Sequence, residues 1–183
     1  QEIAFAAYTN HPQGMEAGLE AVSYYDPPNL TFPFGSYICV VDIDKGTGEV
    51  KVRRFVAVDD CGNIINPMIV DGQIHGGLTQ GLAPALFEEI QYDENGNIQG
   101  GSFMDYLLPT ASDFPAIRAH ALELKPAPHN PLGAKGAGEG GIIPVGGVIA
   151  NAVANALGVE PRVLPLSPSQ VWELIQERRQ STA

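Results

Sequence analysis

The chain has 183 residues, 44% of them apolar and 17% charged, with a formal net charge of −11. This is enough chain for one cored domain of ordinary globular composition, and the excess negative charge argues against nucleic acid or an anionic membrane as partner, because a polyanion is repelled before contact. No apolar run approaches the roughly 20 residues that span a bilayer, QEIAFAAYTN lacks the basic-then-apolar order of an export signal, and Cys39 and Cys61 form no CxxC pair, so the cytoplasm is the expected compartment and small molecules and proteins the expected partners.

The first residue is not Met, and the chain reads as an excerpt of something longer. Residues 1–36 are rich in Tyr, Pro and Asn and show no clean periodicity, as in an irregular packing segment laid across a neighbour. Residues 37–183 read as the structured domain. Tyr37 to Ile43 and Glu49 to Asp59 are rich in β-branched residues and flank DKGTG, which predicts a hairpin. Asn66-Pro67 then supplies an N-cap and a first-turn proline. Met68, Ile69, Ile74, Leu78, Leu82 and Leu86 follow at helical spacing and predict a buried helix. That helix carries Gly72, Gly76, Gly77 and Gly81, each about 1 kcal/mol worse than Ala, and an interior Pro84. Close backbone packing or a ligand must compensate.

A second hairpin is predicted around Asn95-Gly96, and Ile117 to Leu124 alternates as a strand. Pro144 opens a helix in which Val145, Val148, Ile149, Ala152, Val153, Ala156 and Leu157 keep one apolar face until Gly158. A last helix is announced by a capping box of Ser167 and Gln170 with Pro168 at its first position, and its Trp172 should point inward. The fold class is α+β, with hairpins and a mixed sheet packed against helices.

Between the proline-rich KPAPHNP and the Pro144 helix stands GAKGAGEGG, Gly133 to Gly141, with one acid, Glu139. GAGEGG formally fits GxGxxG, but no strand precedes it, so the dinucleotide reading fails on context. A phosphate loop fails too, because Lys135 is followed by Gly rather than Ser or Thr and a carboxylate would repel the phosphates. Glycines do let backbone approach a ligand closely. An acid there, shielded by the start of a buried helix, meets the specification of a general base. The plainer alternative is a glutamate favoured by a helix N-terminus. His75 and Cys61 lack zinc-site spacing and read as a packed or surface histidine and a small buried residue. His129 and the acid pairs Glu88-Glu89 and Asp93-Glu94 read as solvated. No protein metal ligands are assigned.

GAKGAGEGG followed by an Ala-rich helix resembles the catalytic-glutamate loop of the molybdenum hydroxylases, the xanthine oxidase and aldehyde oxidase family. VDDCGNIINPMIVDGQIHGGLTQG, Val58 to Gly81, resembles that family's helix against the molybdopterin cofactor. FPFGSYICVVDIDKGTGEVKVRRF, Phe32 to Phe55, is especially similar to the large subunit of aerobic carbon monoxide dehydrogenases. The resemblance runs from about Ala21 to the last helix and implies the molybdopterin-binding domain of a large subunit. It implies that the enzyme oxidises carbon monoxide, an aldehyde or an N-heterocycle with water as oxygen source, Glu139 being the base that activates the oxygen nucleophile.

Cofactor contacts are implied for Gln73, Asp59, Lys135, Gly136 and Gly138, although Asp59 fits a strand-ending turn as well. Lys135 would neutralise pyrophosphate or pair with Glu139, and fits a plain solvated lysine as well. The implied cofactor is molybdopterin, in its cytosine dinucleotide form, carrying molybdenum. Electrons would leave through iron-sulfur clusters to FAD on partner subunits, in a dimer of heterotrimers completed by the rest of the large subunit. Gly138 stands where the carbon monoxide enzymes tend to carry Ala, which keeps the other two substrate classes open. The competing class is a structural or interaction domain without chemistry of its own.

Overall fold

A computed structural model describes residues 1–181. It begins with a helix, α1 (Glu2–Thr9), none of whose residues is buried. The irregular reading of residues 1–36 missed this helix because a helix that buries no face writes no apolar stripe. Next come β1 (Phe34–Ile43) and β2 (Val50–Asp60), which pair antiparallel as the predicted hairpin, three residues longer at the start of β1. The turn between them closes through the Asp44 carboxylate, which accepts from the amides of Gly46 and Thr47 at 2.7 and 3.2 Å.

Strict alternation would set Val52 and Phe55 on opposite faces of β2, yet both are buried. A bulge explains this: the register steps from Val40↔Arg54 to Val41↔Val52, so Arg53 is the extra residue. Arg53 and Arg54 then both face solvent, and Arg53 pairs with the exposed Asp42 at 2.5 Å. Beyond the bulge, Phe55, Ala57 and Asp59 share the core face.

Asn66 accepts from the amide of Ile69 at 3.3 Å and opens α2 (Pro67–Leu86), which continues through Pro84. Ile74, Leu78, Leu82 and Leu86 are buried as expected. Met68 and Ile69 are not; both stand mostly exposed in the first turn, before the helix reaches the core. The second hairpin is short, β3 (Gln91–Tyr92) with β4 (Ile98–Gln99). A single 3₁₀ turn at Ala111–Asp113 precedes β5 (Ile117–Leu122), which stops before the predicted Leu124.

β5 pairs parallel with β2, giving a mixed three-stranded sheet in the order β1-β2-β5. The crossover between β2 and β5 carries α2. α3 (Val145–Leu157) buries Val145, Ile149 and Val153 and ends at Gly158 in the left-handed conformation, as predicted. α4 (Pro168–Ser181) follows.

The core joins Phe55 and Ala57 to Ile74, Leu78 and Leu82, to Val145, Ile149 and Val153, and to Val171 and Ile175 of α4. Burial of each large side chain contributes about 1.5–3 kcal/mol. Trp172 is 44% exposed, against expectation, because Val171 and Ile175, four apart, are the pair that faces the core. Of the α4 capping box, only the long bond from the Gln170 amide to the Ser167 hydroxyl forms, at 3.5 Å. The opposite sheet face, with Ile38 and Val40 of β1, lies open.

Candidate functional site

Because β2 and β5 run parallel, the chain leaves both strands at the same end of the sheet. After β2 it turns into α2; after β5 it loops through residues 123–136 into the Glu139 segment. That loop is docked on the end of β2 by an isolated bridge between Gly62 and Ala134, by the Asn63 amide on the Gly133 carbonyl at 3.0 Å and by the Lys135 amide on the Cys61 carbonyl at 2.8 Å. The two stretches singled out in the sequence therefore meet.

Their contact explains two of the four glycines in α2. A Cβ on Gly77 would stand 2.9 Å from the Ile142 nitrogen, and one on Gly81 2.6 Å from Cβ of Val145. Gly141 answers from the other side, where a Cβ would stand 2.7 Å from the Ile74 carbonyl oxygen. Gly72 and Gly76 have a different surrounding: beyond the backbone of their own helix, no heavy atom lies within 4 Å of a Cβ built on either. They line a cleft of about 390 Å³ with Gln73, Gln80, Gly138, Glu139 and Ile142. Gln73 Oε1 lies 3.6 Å from where a Cβ on Gly138 would be, so the amide and the Gly loop face each other. Gln80 joins the site one face-repeat along the helix from Gln73; its place on a glycine-bearing face was the available signal.

Glu139 and Gln73 are both exposed. The shielding expected for the glutamate is absent; α3 begins only six residues later. Gly136 lies near the Thr31 carbonyl, 3.7 Å from its would-be Cβ.

Two further acids lie beneath the loop. Asp59 is 5% exposed; its Oδ1 takes the Tyr37 hydroxyl at 2.5 Å and its Oδ2 has no partner. Burial raises its affinity for a proton above the ordinary carboxylate value, against the opposing hydrogen bond from Tyr37. Burial, followed by the bond to Asp59, also pushes the Tyr37 hydroxyl up. A side chain on Gly35, opposite Asp59 in the hairpin, would collide with that carboxyl.

Asp60 is 1% exposed. Burial opposes its charge, but the amides of Gly62 and Leu124 and the Lys135 ammonium outweigh burial and hold its carboxyl below the ordinary value. Lys135 Nζ lies 3.2 Å from Asp60 Oδ1 and 4.7 Å from the centroid of the Phe34 ring. So Lys135 is neither solvated nor paired with Glu139. It closes a buried ion pair 75 residues away in sequence, which no local pattern signals. Tyr37 and Asp60 were missed for the same reason.

His75 sits beside Asp71, its Nδ1 2.9 Å from the Asp71 carbonyl, on an exposed turn. Cys61 is buried, as expected, and burial pushes its thiol up. Among the described residues no group of three or more His, Cys, Asp or Glu could hold a metal ion. No helix among them is long and apolar enough to cross a membrane. A larger groove of about 630 Å³ lies elsewhere, lined by Val159, Glu160, Arg162, Glu173 and Glu177 among others, and shares no residue with the Gly loop.

Bare helix backbone at Gly72 and Gly76 and the two neutral amides of Gln73 and Gln80 suit a pterin, whose edge offers donors and acceptors together.

Comparison with known proteins agrees. The molybdopterin cofactor-binding domain profile matches residues 1–115. The carbon monoxide dehydrogenase large chain of Afipia carboxidovorans is 51% identical over 176 residues, 95% of this chain and 21% of that one. Superposition on the Cu,Mo-CO dehydrogenase in its carbon monoxide reduced state gives a TM-score of 0.88 at 46% identity, over 97% of this chain and 23% of that one. Quinoline 2-oxidoreductase from Pseudomonas putida 86 gives 0.86 at 42%, over the same 97% and 23%. This chain thus spans about a fifth of the length of its relatives. With that match, and with a cleft of glycines and amides where the cofactor-facing helix was expected, the chain belongs to the molybdopterin cofactor-binding domains of the xanthine oxidase family.

Proposed function

We propose that the chain forms the Glu139 side of the active site of a molybdenum hydroxylase large subunit, in which Glu139 is the general base. The carrying observation is the cleft in which Glu139 shares walls with Gln73 and the open backbone of Gly72 and Gly76. When bound, molybdopterin supplies a redox-active molybdenum centre and an electron exit. Gln73 and Gln80 hydrogen-bond the pterin edge, while Gly72, Gly76, Gly136 and Gly138 let it approach the backbone. Glu139 accepts the proton released as the oxygen nucleophile forms. Lys135, committed to Asp60, acts on the cofactor by holding the loop in place, with no direct contact.

The wider reading is a cytoplasmic enzyme that uses the cytosine dinucleotide cofactor and passes electrons to iron-sulfur and FAD subunits in a dimer of heterotrimers. Its substrate is carbon monoxide, an aldehyde or an N-heterocycle. Near-equal superposition on a carbon monoxide enzyme and on a quinoline enzyme supports keeping the carbon monoxide and N-heterocycle classes together.

The test is Glu139→Gln in the assembled enzyme. The amide keeps size and hydrogen bonding but takes no proton, so turnover per bound molybdenum should fall about 10² to 10⁴-fold with molybdenum content unchanged. Equal turnover in variant and parent would make the carboxylate structural.

A further inference from the structure

The loop that presents Glu139 has little of its own to hold it. Residues 138–144 form successive turns, and the bonds from the Ile142 and Ile143 amides to the Glu139 carbonyl are long, at 3.2 and 3.4 Å. Glycines flank the glutamate on both sides, so its backbone is free to wander unless something outside the loop fixes it. The sheet supplies that tie. Tyr37 of β1, packed edge-on to Phe55 at 6.3 Å between ring centroids, reaches up between Asp59 and the loop. Its hydroxyl lies 2.5 Å from Asp59 Oδ1 and 3.1 Å from the carbonyl oxygen of Gly140.

We propose that Tyr37 is a positioning residue for Glu139: braced by the buried Asp59, its hydroxyl pins the carbonyl of Gly140 and so fixes the backbone one residue beyond the glutamate. The inference rests on Glu139 acting as the base. Tyr37 has one proton and two oxygens within reach. The hydroxyl is aimed at both, toward Asp59 Oδ1 and toward the Gly140 carbonyl oxygen, so it ties the loop to the buried acid. Asp59 then serves the site through Tyr37. On the far side of Gly140, the close approach of Gly141 to Ile74 clamps the loop against α2. Glu139 is thereby the first residue left free to face the cleft.

Tyr37→Phe in the assembled enzyme keeps the ring and removes the hydroxyl. Turnover per bound molybdenum should fall about 10- to 100-fold, the scale of a misplaced catalytic group, with KM and molybdenum content unchanged. Hydrogen exchange at the Ile142 and Ile143 amides should speed up while β1, β2 and α3 exchange as in the parent. In Tyr37→Phe/Glu139→Gln the rate should equal that of Glu139→Gln alone, because the tyrosine acts through the glutamate; a merely structural tyrosine would lower it further. Parent-like turnover in Tyr37→Phe, alongside a collapse in Glu139→Gln, overturns this inference and leaves the base reading standing. Unchanged exchange at Ile142 and Ile143 overturns it whatever Glu139 does. Parent-like turnover in Glu139→Gln overturns the base reading and this inference with it.

Discussion

Gly81 of α2 and Val145 of α3 touch so closely that a methyl group on Gly81 would stand 2.6 Å from the Val145 Cβ. Val145 is fully buried and β-branched, so it has no free rotamer to yield. Gly81→Ala should therefore destabilise the assembled protein by about 1–3 kcal/mol through overpacking, despite the better helix propensity of alanine. Thermal melts check this, and a Tm equal to the parent's would show that the two helices can move apart freely.

Gly72→Ala and Gly76→Ala should behave in the opposite way. Their Cβ atoms meet nothing beyond the backbone of their own helix, so propensity alone should stabilise the helix by up to about 1 kcal/mol each. Both methyl groups would fill space assigned to the cofactor, so molybdenum content of the assembled enzyme should drop as Tm rises. Gln73→Ala should also lower content and, with it, turnover. Full loading in all three variants would move the cofactor away from this face.

Acid should separate the two buried carboxylates. Asp60 has a folded value below its ordinary 3.8, so its contribution to stability is complete above that pH and is lost as pH falls through the folded value. Asp59 has a raised folded value, so its contribution is complete below 3.8 and is lost as pH rises through the folded value. Asp60→Asn should flatten the loss of Tm below pH about 3.8, the unperturbed value. Lys135→Met alone should be the more damaging change, since it leaves a buried charge unpaired, and Asp60→Asn combined with it should recover part of the loss. Equal melts across acid pH for parent and Asp60→Asn would refute the linkage.

The chain produced alone should self-associate and hold no stoichiometric molybdenum. Tyr24, Phe103, Met104 and Ile143 are large apolar side chains each more than three-quarters exposed, and contact with a further surface would bury them. Light scattering across a concentration series should give masses above one chain, and metal analysis should find far less than one molybdenum per chain. A monomer with full metal would show that the cleft needs no further wall.

What was legible in the sequence was what is local. The Asn66-Pro67 start of α2, the Gly158 stop of α3 and the Glu139 loop each depend on a few adjacent residues, and each lies where the pattern placed it. The glycines of α2 announced close approach but not of what; the structure divides them between Val145 and Ile142 on one side and open cleft on the other. Ties across long stretches left no pattern. Lys135 to Asp60 and Tyr37 to Gly140 join residues 75 and 103 positions apart, and a lone Tyr in a strand looks like any other aromatic. Trp172 misled for a different reason: size suggested burial, but helical phase is set by Val171 and Ile175.

The parallel pairing of β2 with β5, from Phe55↔Ile117 to Asp60↔Leu122, also imposes an order in time. Gln73 lies before the crossover is complete and Glu139 after it, so the growing chain exposes one wall of the cleft well before the other has been synthesised. Parallel pairing is slow, since a long loop must close before any contact repays it. Only when β5 has seated beside β2 do the two walls face each other. The groove between α2 and the Glu139 loop is thus among the last features of this chain to be completed.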